Sequence, residues 1–118
     1  MYRIILIPFA FLLASLSLTS CEKLDLPPGV ASCIEDKIRE IKQQDVRNPP
    51  AAVWQYQYNG KTVYYIPSYC CDMYSELYDA DCNLICHPDG GITGSGDGKC
   101  TDFFEKRTNE KLIWKDNR

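Results

Sequence analysis

The chain has 118 residues, with 13 Lys and Arg against 16 Asp and Glu, for a formal charge of −3. That length allows one domain at most, too small to rely on a large core alone, so extra staples are expected. The acidic balance excludes the broad basic footprint of a nucleic-acid binder, and no nucleic-acid partner is expected.

Met1-Tyr2-Arg3 supplies one positive charge, and residues 4–18 are almost wholly apolar, broken by Pro8 and two serines. An apolar run of about 15 residues behind a charged start is a secretory signal, since a membrane span needs roughly 20. The following Leu18-Thr19-Ser20-Cys21 resembles the lipobox of bacterial lipoproteins. That resemblance implies diacylglycerol on the Cys21 sulfur, cleavage before it, and acylation of the new terminus. Each buried methylene of such chains contributes roughly 0.8 kcal/mol, so two or three chains anchor a domain firmly. Residues 1–20 are thus expected to be a lipoprotein signal peptide, and residues 21–32 a lipidated cysteine with a flexible tether. The tether contains Pro27-Pro28-Gly29 and no sustained periodicity, which predicts an extended leash holding the domain away from the bilayer. Glu22 is not the Asp that resembles an inner-membrane retention signal, so the expected site is the bacterial cell envelope, at the outer membrane.

Residues 33–118 are expected to form the globular domain. Ser32-Cys33-Ile34-Glu35 matches a capping box, and Ile34, Ile38 and Ile41 recur at helical spacing, which predicts a helix over about 33–44. Asn48-Pro49-Pro50 stops any continuation. Two alternating runs, residues 53–58 and 61–66, then flank Asn59-Gly60, the preferred pair for a type I′ hairpin. That register places Trp54, Tyr56, Tyr58, Val63 and Tyr65 on one face, expected to cover the helix. Val53, Gln55, Gln57, Thr62, Tyr64 and Ile66 share the other, wetter face. Residues 75–78 and 83–86 form a second predicted hairpin around residues 79–82, and a Gly-rich loop spans 88–99. Phe103 and Phe104 begin a short helical or turn segment, and residues 111–114 form a last strand. The sum is an α+β domain with one N-terminal helix packed on a four- or five-stranded antiparallel sheet.

Lipidation of Cys21 would leave six of the seven cysteines: Cys33, Cys70, Cys71, Cys82, Cys86 and Cys100. An even set in a small exported domain predicts a disulfide framework. A bond between neighbours Cys70 and Cys71 is disfavoured by strain. The expected pairing joins Cys33 to the 82–86 region and Cys70 or Cys71 to Cys100.

Other chemistry is weaker. Cys82-Asn83-Leu84-Ile85-Cys86-His87 has one residue too many between its cysteines for the usual haem attachment motif. His87 is the only histidine, and Met73 would have to be the second axial ligand. Zinc would need Cys86, His87 and further cysteines without the paired knuckles of structural zinc sites. Calcium finds some support in the loop of carboxylates and glycines, with Asp89, Asp97 and Asp72 as candidate ligands. The alternating ligands and closing Glu of an EF-hand are missing, however, and two Asp-capped glycine turns account for the same residues. No Ser-His-Asp or Cys-His arrangement has support, so no catalytic residue and no enzyme activity are expected.

Cys70-Cys71-Asp72, Pro88-Asp89-Gly90-Gly91 and Gly96-Asp97-Gly98 stand beside Asn59-Gly60-Lys61-Thr62-Val63-Tyr64-Tyr65, Leu77-Tyr78-Asp79 and Ile113-Trp114-Lys115-Asp116. Together these motifs resemble an uncharacterised family of bacterial envelope lipoprotein domains, a domain of unknown function, over about residues 33–118. The resemblance implies no activity and assigns no site. The expected role is a membrane-anchored, non-catalytic binding or structural module for an unknown envelope protein or ligand. Two alternatives stand beside it. One is a disulfide-rich inhibitor of an extracytoplasmic hydrolase, presenting residues 88–99. The other is a calcium-dependent interaction module.

Overall fold

The computed structural model describes residues 23–70 and 72–118; the expected signal peptide, Cys21 and Cys71 lie outside the described residues. In chain order the elements are helix α1 (Ser32–Lys42), strands β1 (Ala52–Tyr58), β2 (Lys61–Ile66), β3 (Glu76–Asp79) and β4 (Leu84–Cys86), helix α2 (Phe103–Lys106) and strand β5 (Thr108–Lys115). The strands form one antiparallel sheet in the order β4-β3-β2-β1-β5. This is a small disulfide-stapled α+β domain, with the predicted helix and both predicted hairpins in place.

The first hairpin has the register that its turn dictates. Tyr58 pairs with Lys61 and Tyr56 with Val63. Asn59 and Gly60 take φ of 51° and 75°, the left-handed conformations that a type I′ turn needs at both central positions. Period-2 alternation then sorts the strands into the two expected faces. Their assignment is the reverse of the expectation. The face of Val53, Tyr64 and Ile66, joined by Ile113, packs against the buried Ile34, Ile38 and Ile41 of α1. The aromatic face of Tyr56, Tyr58, Val63 and Tyr65 instead packs with Leu77, Cys86, Cys100 and Phe103. The sheet is therefore covered on both sides, by α1 on one and by the 87–102 segment and α2 on the other.

The ends of α1 also differ from expectation. Ser32 is its first helical residue rather than its cap. Ala31 occupies the cap position without a side-chain bond, and its carbonyl accepts from the N–H groups of Ile34 and Glu35. The C-terminal carbonyls are satisfied from a distance. The Arg118 guanidinium donates to the carbonyls of Ile41, Lys42 and Gln44 at 3.3, 2.9 and 3.1 Å. It also grips the buried Asp116 carboxylate at 2.8 Å. Such a cation at a helix C-terminus complements the helix dipole as well as the orphan acceptors.

The described part of the segment expected to be a flexible tether packs on the domain. Leu24, Leu26, Val30 and Ala31 are half-buried and pack against the α1 core. Apolar side chains spaced without a regular period can still find a groove, because burial here follows the path of the chain rather than a helix or strand repeat.

Two disulfides join described residues. Cys33 bonds Cys82, tying the start of α1 to the β3–β4 turn, within the expected region. Cys86 bonds Cys100, which corrects the expected link from Cys100 to Cys70 or Cys71. The reason is geometric: β4 ends at Cys86, and the following loop returns Cys100 beneath the same aromatic face, with both cysteines buried. Cys70 is also disulfide-bonded.

Candidate functional site

The most distinctive surface feature is the loop that the Cys86–Cys100 bond closes. Its ends are fixed covalently, and its interior is laced to the domain by hydrogen bonds. The Ser75 N–H donates to the Asp89 carbonyl at 3.1 Å, and the Gly91 N–H to the Met73 carbonyl at 3.1 Å. The Ser75 hydroxyl lies 3.1 Å from both the carbonyl and the N–H of Asp89. Gly96 donates to the Gly90 carbonyl and Asp97 to the His87 carbonyl, each at 3.0 Å. Two glycines make this lacing possible. A Cβ at Gly90 would come within 2.3 Å of the Met73 carbonyl oxygen, and one at Gly96 within 2.1 Å of the His87 oxygen. Both also take positive φ, so any other residue there would meet strain and collision together.

The loop aspartates serve this scaffold. One Asp97 oxygen accepts the His87 N–H at 3.1 Å and the other the Lys99 N–H at 3.0 Å. Desolvation opposes its charge, but the two amides of Lys99 and His87 prevail and hold the carboxyl below the usual range. Asp89 accepts the Tyr65 hydroxyl at 2.9 Å. Burial, reinforced by that carboxylate, pushes the Tyr65 phenol well above its ordinary value. Asp72 is exposed on the preceding connection. Among the described residues no group of three or more His, Cys, Asp or Glu is arranged to hold a metal ion. Of the aspartates expected as calcium ligands, Asp97 accepts turn amides, half-buried Asp89 accepts the Tyr65 hydroxyl, and Asp72 lies on the surface.

His87 is also occupied. Its Nδ1 lies 2.7 Å from the Ser75 carbonyl oxygen, and its ring stacks on Tyr74 with centroids 4.8 Å apart. It meets the backbone of Ser75 and not the hydroxyl, which is turned to Asp89. At the far end of the loop, the Gly94 N–H donates to the Gly91 carbonyl at 3.1 Å, which makes Ile92 and Thr93 the corners of a tight turn. Ile92 is 91% exposed there, far more than any other large apolar side chain among the described residues. Sequence reasoning did not single it out. The available signal was a lone β-branched apolar residue in a run of Gly, Asp, Thr and Ser, where a turn has no structural use for one.

Residues 39–116 match the family described as Domain of unknown function (DUF6970). The chain belongs to this family. No curated protein and no solved structure matches the chain. The DUF6970 match runs from the second half of α1 to Asp116, and so takes in the whole sheet, the closed loop and α2.

A concavity of the DUF6970 domain lies between α1 and the connection from β2 to β3. Lys37, Glu40, Gln44 and Arg47 line one wall, and Tyr69, Met73 and Tyr74 the other. Its volume of about 80 Å³ is well short of the several hundred that an organic ligand needs. Its charges are partly matched internally: Lys37 lies 3.3 Å from Glu76, which also accepts the Tyr78 hydroxyl at 2.9 Å.

Proposed function

We propose that this chain is a lipid-anchored envelope protein whose domain is a non-catalytic binding module, with the Cys86–Cys100 loop as its recognition element. The observation that carries the proposal is Ile92. An almost fully exposed isoleucine sits at the tip of a loop pinned by a disulfide and by backbone hydrogen bonds. Exposing it costs solvation without any return to the fold, and a rigid presenting loop lowers the entropy lost on binding a partner. The lipobox-like Leu18-Thr19-Ser20-Cys21 supports the anchor.

A photo-crosslinking residue at position 92 tests this on the full-length protein in its native membranes. A discrete adduct that a soluble excess of wild-type protein abolishes, and an equal excess of the Ile92→Asp protein leaves in place, would support the module. Equal competition by both proteins would refute the loop. The same rigid loop favours one second reading, an inhibitor of an extracytoplasmic hydrolase. That version requires inhibition at micromolar protein, lost in Ile92→Asp.

A further inference from the structure

From the docked N-terminal segment we infer a membrane-seating face: the trough between Lys23–Asp25, the end of α1 and the end of β5 lies against the anionic headgroups of the anchoring bilayer. The inference rests on Cys21 acylation as proposed above and goes beyond it by assigning the domain's orientation. Three observations converge. First, Leu24 already packs on the domain, so only Glu22 and Lys23 separate it from Cys21. At roughly 3.5 Å per residue, Cys21 reaches no more than about 11 Å from the Leu24 position, and the domain cannot stand off from the membrane.

Second, that exit point is ringed by cations in an acidic protein. Lys23, Lys42 and Lys115 line an open trough of about 410 Å³ in which Asp25 is the one acid among the described lining residues, and Arg39 and Lys42 flank Leu24 on the adjoining side. Arg39 is shared with Glu35 at 3.5 Å, and the buried Asp116 nearby is neutralised by Arg118 at 2.8 Å. Third, the same trough exposes Leu112, at 43%, and half-exposes Trp114. Lysines around a tryptophan and a leucine match the headgroup level of a bilayer, where indoles concentrate and each Lys gains roughly a five-fold bias toward an anionic surface.

The test uses the full-length protein, reconstituted into vesicles, with Trp54→Phe so that Trp114 is the sole tryptophan. Nitroxide-labelled headgroups report contact by quenching. The expected result is strong quenching in phosphatidylglycerol-containing vesicles, lost in pure phosphatidylcholine, in high salt, and in Lys23→Glu/Lys115→Glu. Equal quenching in neutral and anionic vesicles overturns the electrostatic seating. An unquenched Trp114 on protein whose mass shows the lipid on Cys21 overturns the seating while leaving the anchor intact. Protein without that lipid overturns both. Self-association through Leu112 and Trp114, with Trp114 unquenched, would assign the face to a second copy and overturn the inference as well.

Discussion

Replacing both Cys86 and Cys100 by Ala should cost about 3 kcal/mol, the loop-closure value for a bridge whose ends are 14 residues apart. Alanine leaves no polar group behind in the buried site. For a domain of this size that is a fall in Tm of roughly 12–24 °C. Removing Cys33–Cys82, with a separation of 49, should cost about 4 kcal/mol by the same relation. The two losses differ in where they act. Without Cys86–Cys100 the loop keeps only its hydrogen bonds, and the exposed Lys99 next to the lost bridge should become a site of rapid tryptic cleavage below the melting transition. Without Cys33–Cys82, α1 loosens while Lys99 stays protected. Differential scanning calorimetry with timed proteolysis and mass analysis reads both quantities. Equal cleavage at Lys99 in the two variants, or a Tm change of only a few degrees on losing Cys86–Cys100, would refute the view that this bond holds the loop.

Phe103 is fully buried, with ring centroids 5.6, 5.3 and 5.6 Å from Tyr56, Tyr58 and Tyr65. Phe103→Ala should cost about 3–5 kcal/mol in denaturant titrations and Phe103→Leu less than about 2. Burial, with the hydrogen bond to Glu110, raises the Tyr56 phenol from 10.0 to about 12. Folded protein thus holds that proton more tightly, so stability is level below pH 10 and falls as pH rises through 12; Tyr56→Phe should flatten part of that fall in denaturation curves. At the acid end, the Tyr58 hydroxyl and then Lys106 hold Asp102 below its ordinary 3.8. Its contribution is present above that value and lost as pH falls beneath it, so the acid transition of Asp102→Asn should be shallower.

The hairpin was legible because turn chemistry and side-chain period act locally: Asn59-Gly60 sets the pairing, and the pairing sets the faces. Which face met α1 was not legible. Gln55 and Gln57 made the Tyr64 face look wet, but Gln57 meets Thr62 at 2.8 Å near the hairpin turn, while Val53, Tyr64 and Ile66 supply the apolar contact to α1. With both faces of the sheet covered, alternation distinguishes the faces without ranking them. The expected partner of Cys100 was wrong for a related reason. Cys100 meets Cys86 through the return path of a loop, and no periodicity encodes that path. Ile92 and Leu24 escaped for opposite reasons, one an apolar residue with nothing to bury it and the other apolar without a repeat.

The position of α1 joins the two proposed surfaces. Its first turn is bonded to Cys82 beside β4, the edge strand from which the closed loop departs. Its last turn is capped by Arg118 just beyond β5, the opposite edge, beside the cationic trough. Eleven residues of helix extend about 16 Å, close to the roughly 19 Å that four strand spacings set between the edges. α1 is therefore a strut across the sheet, fixed covalently at the loop side and by hydrogen bonds at the anchor side. A domain seated on its β5 edge would then present the β4 edge and Ile92 away from the bilayer. That orientation follows from the strut, the docked Leu24 and the two residues, Glu22 and Lys23, that separate Leu24 from the proposed anchor at Cys21.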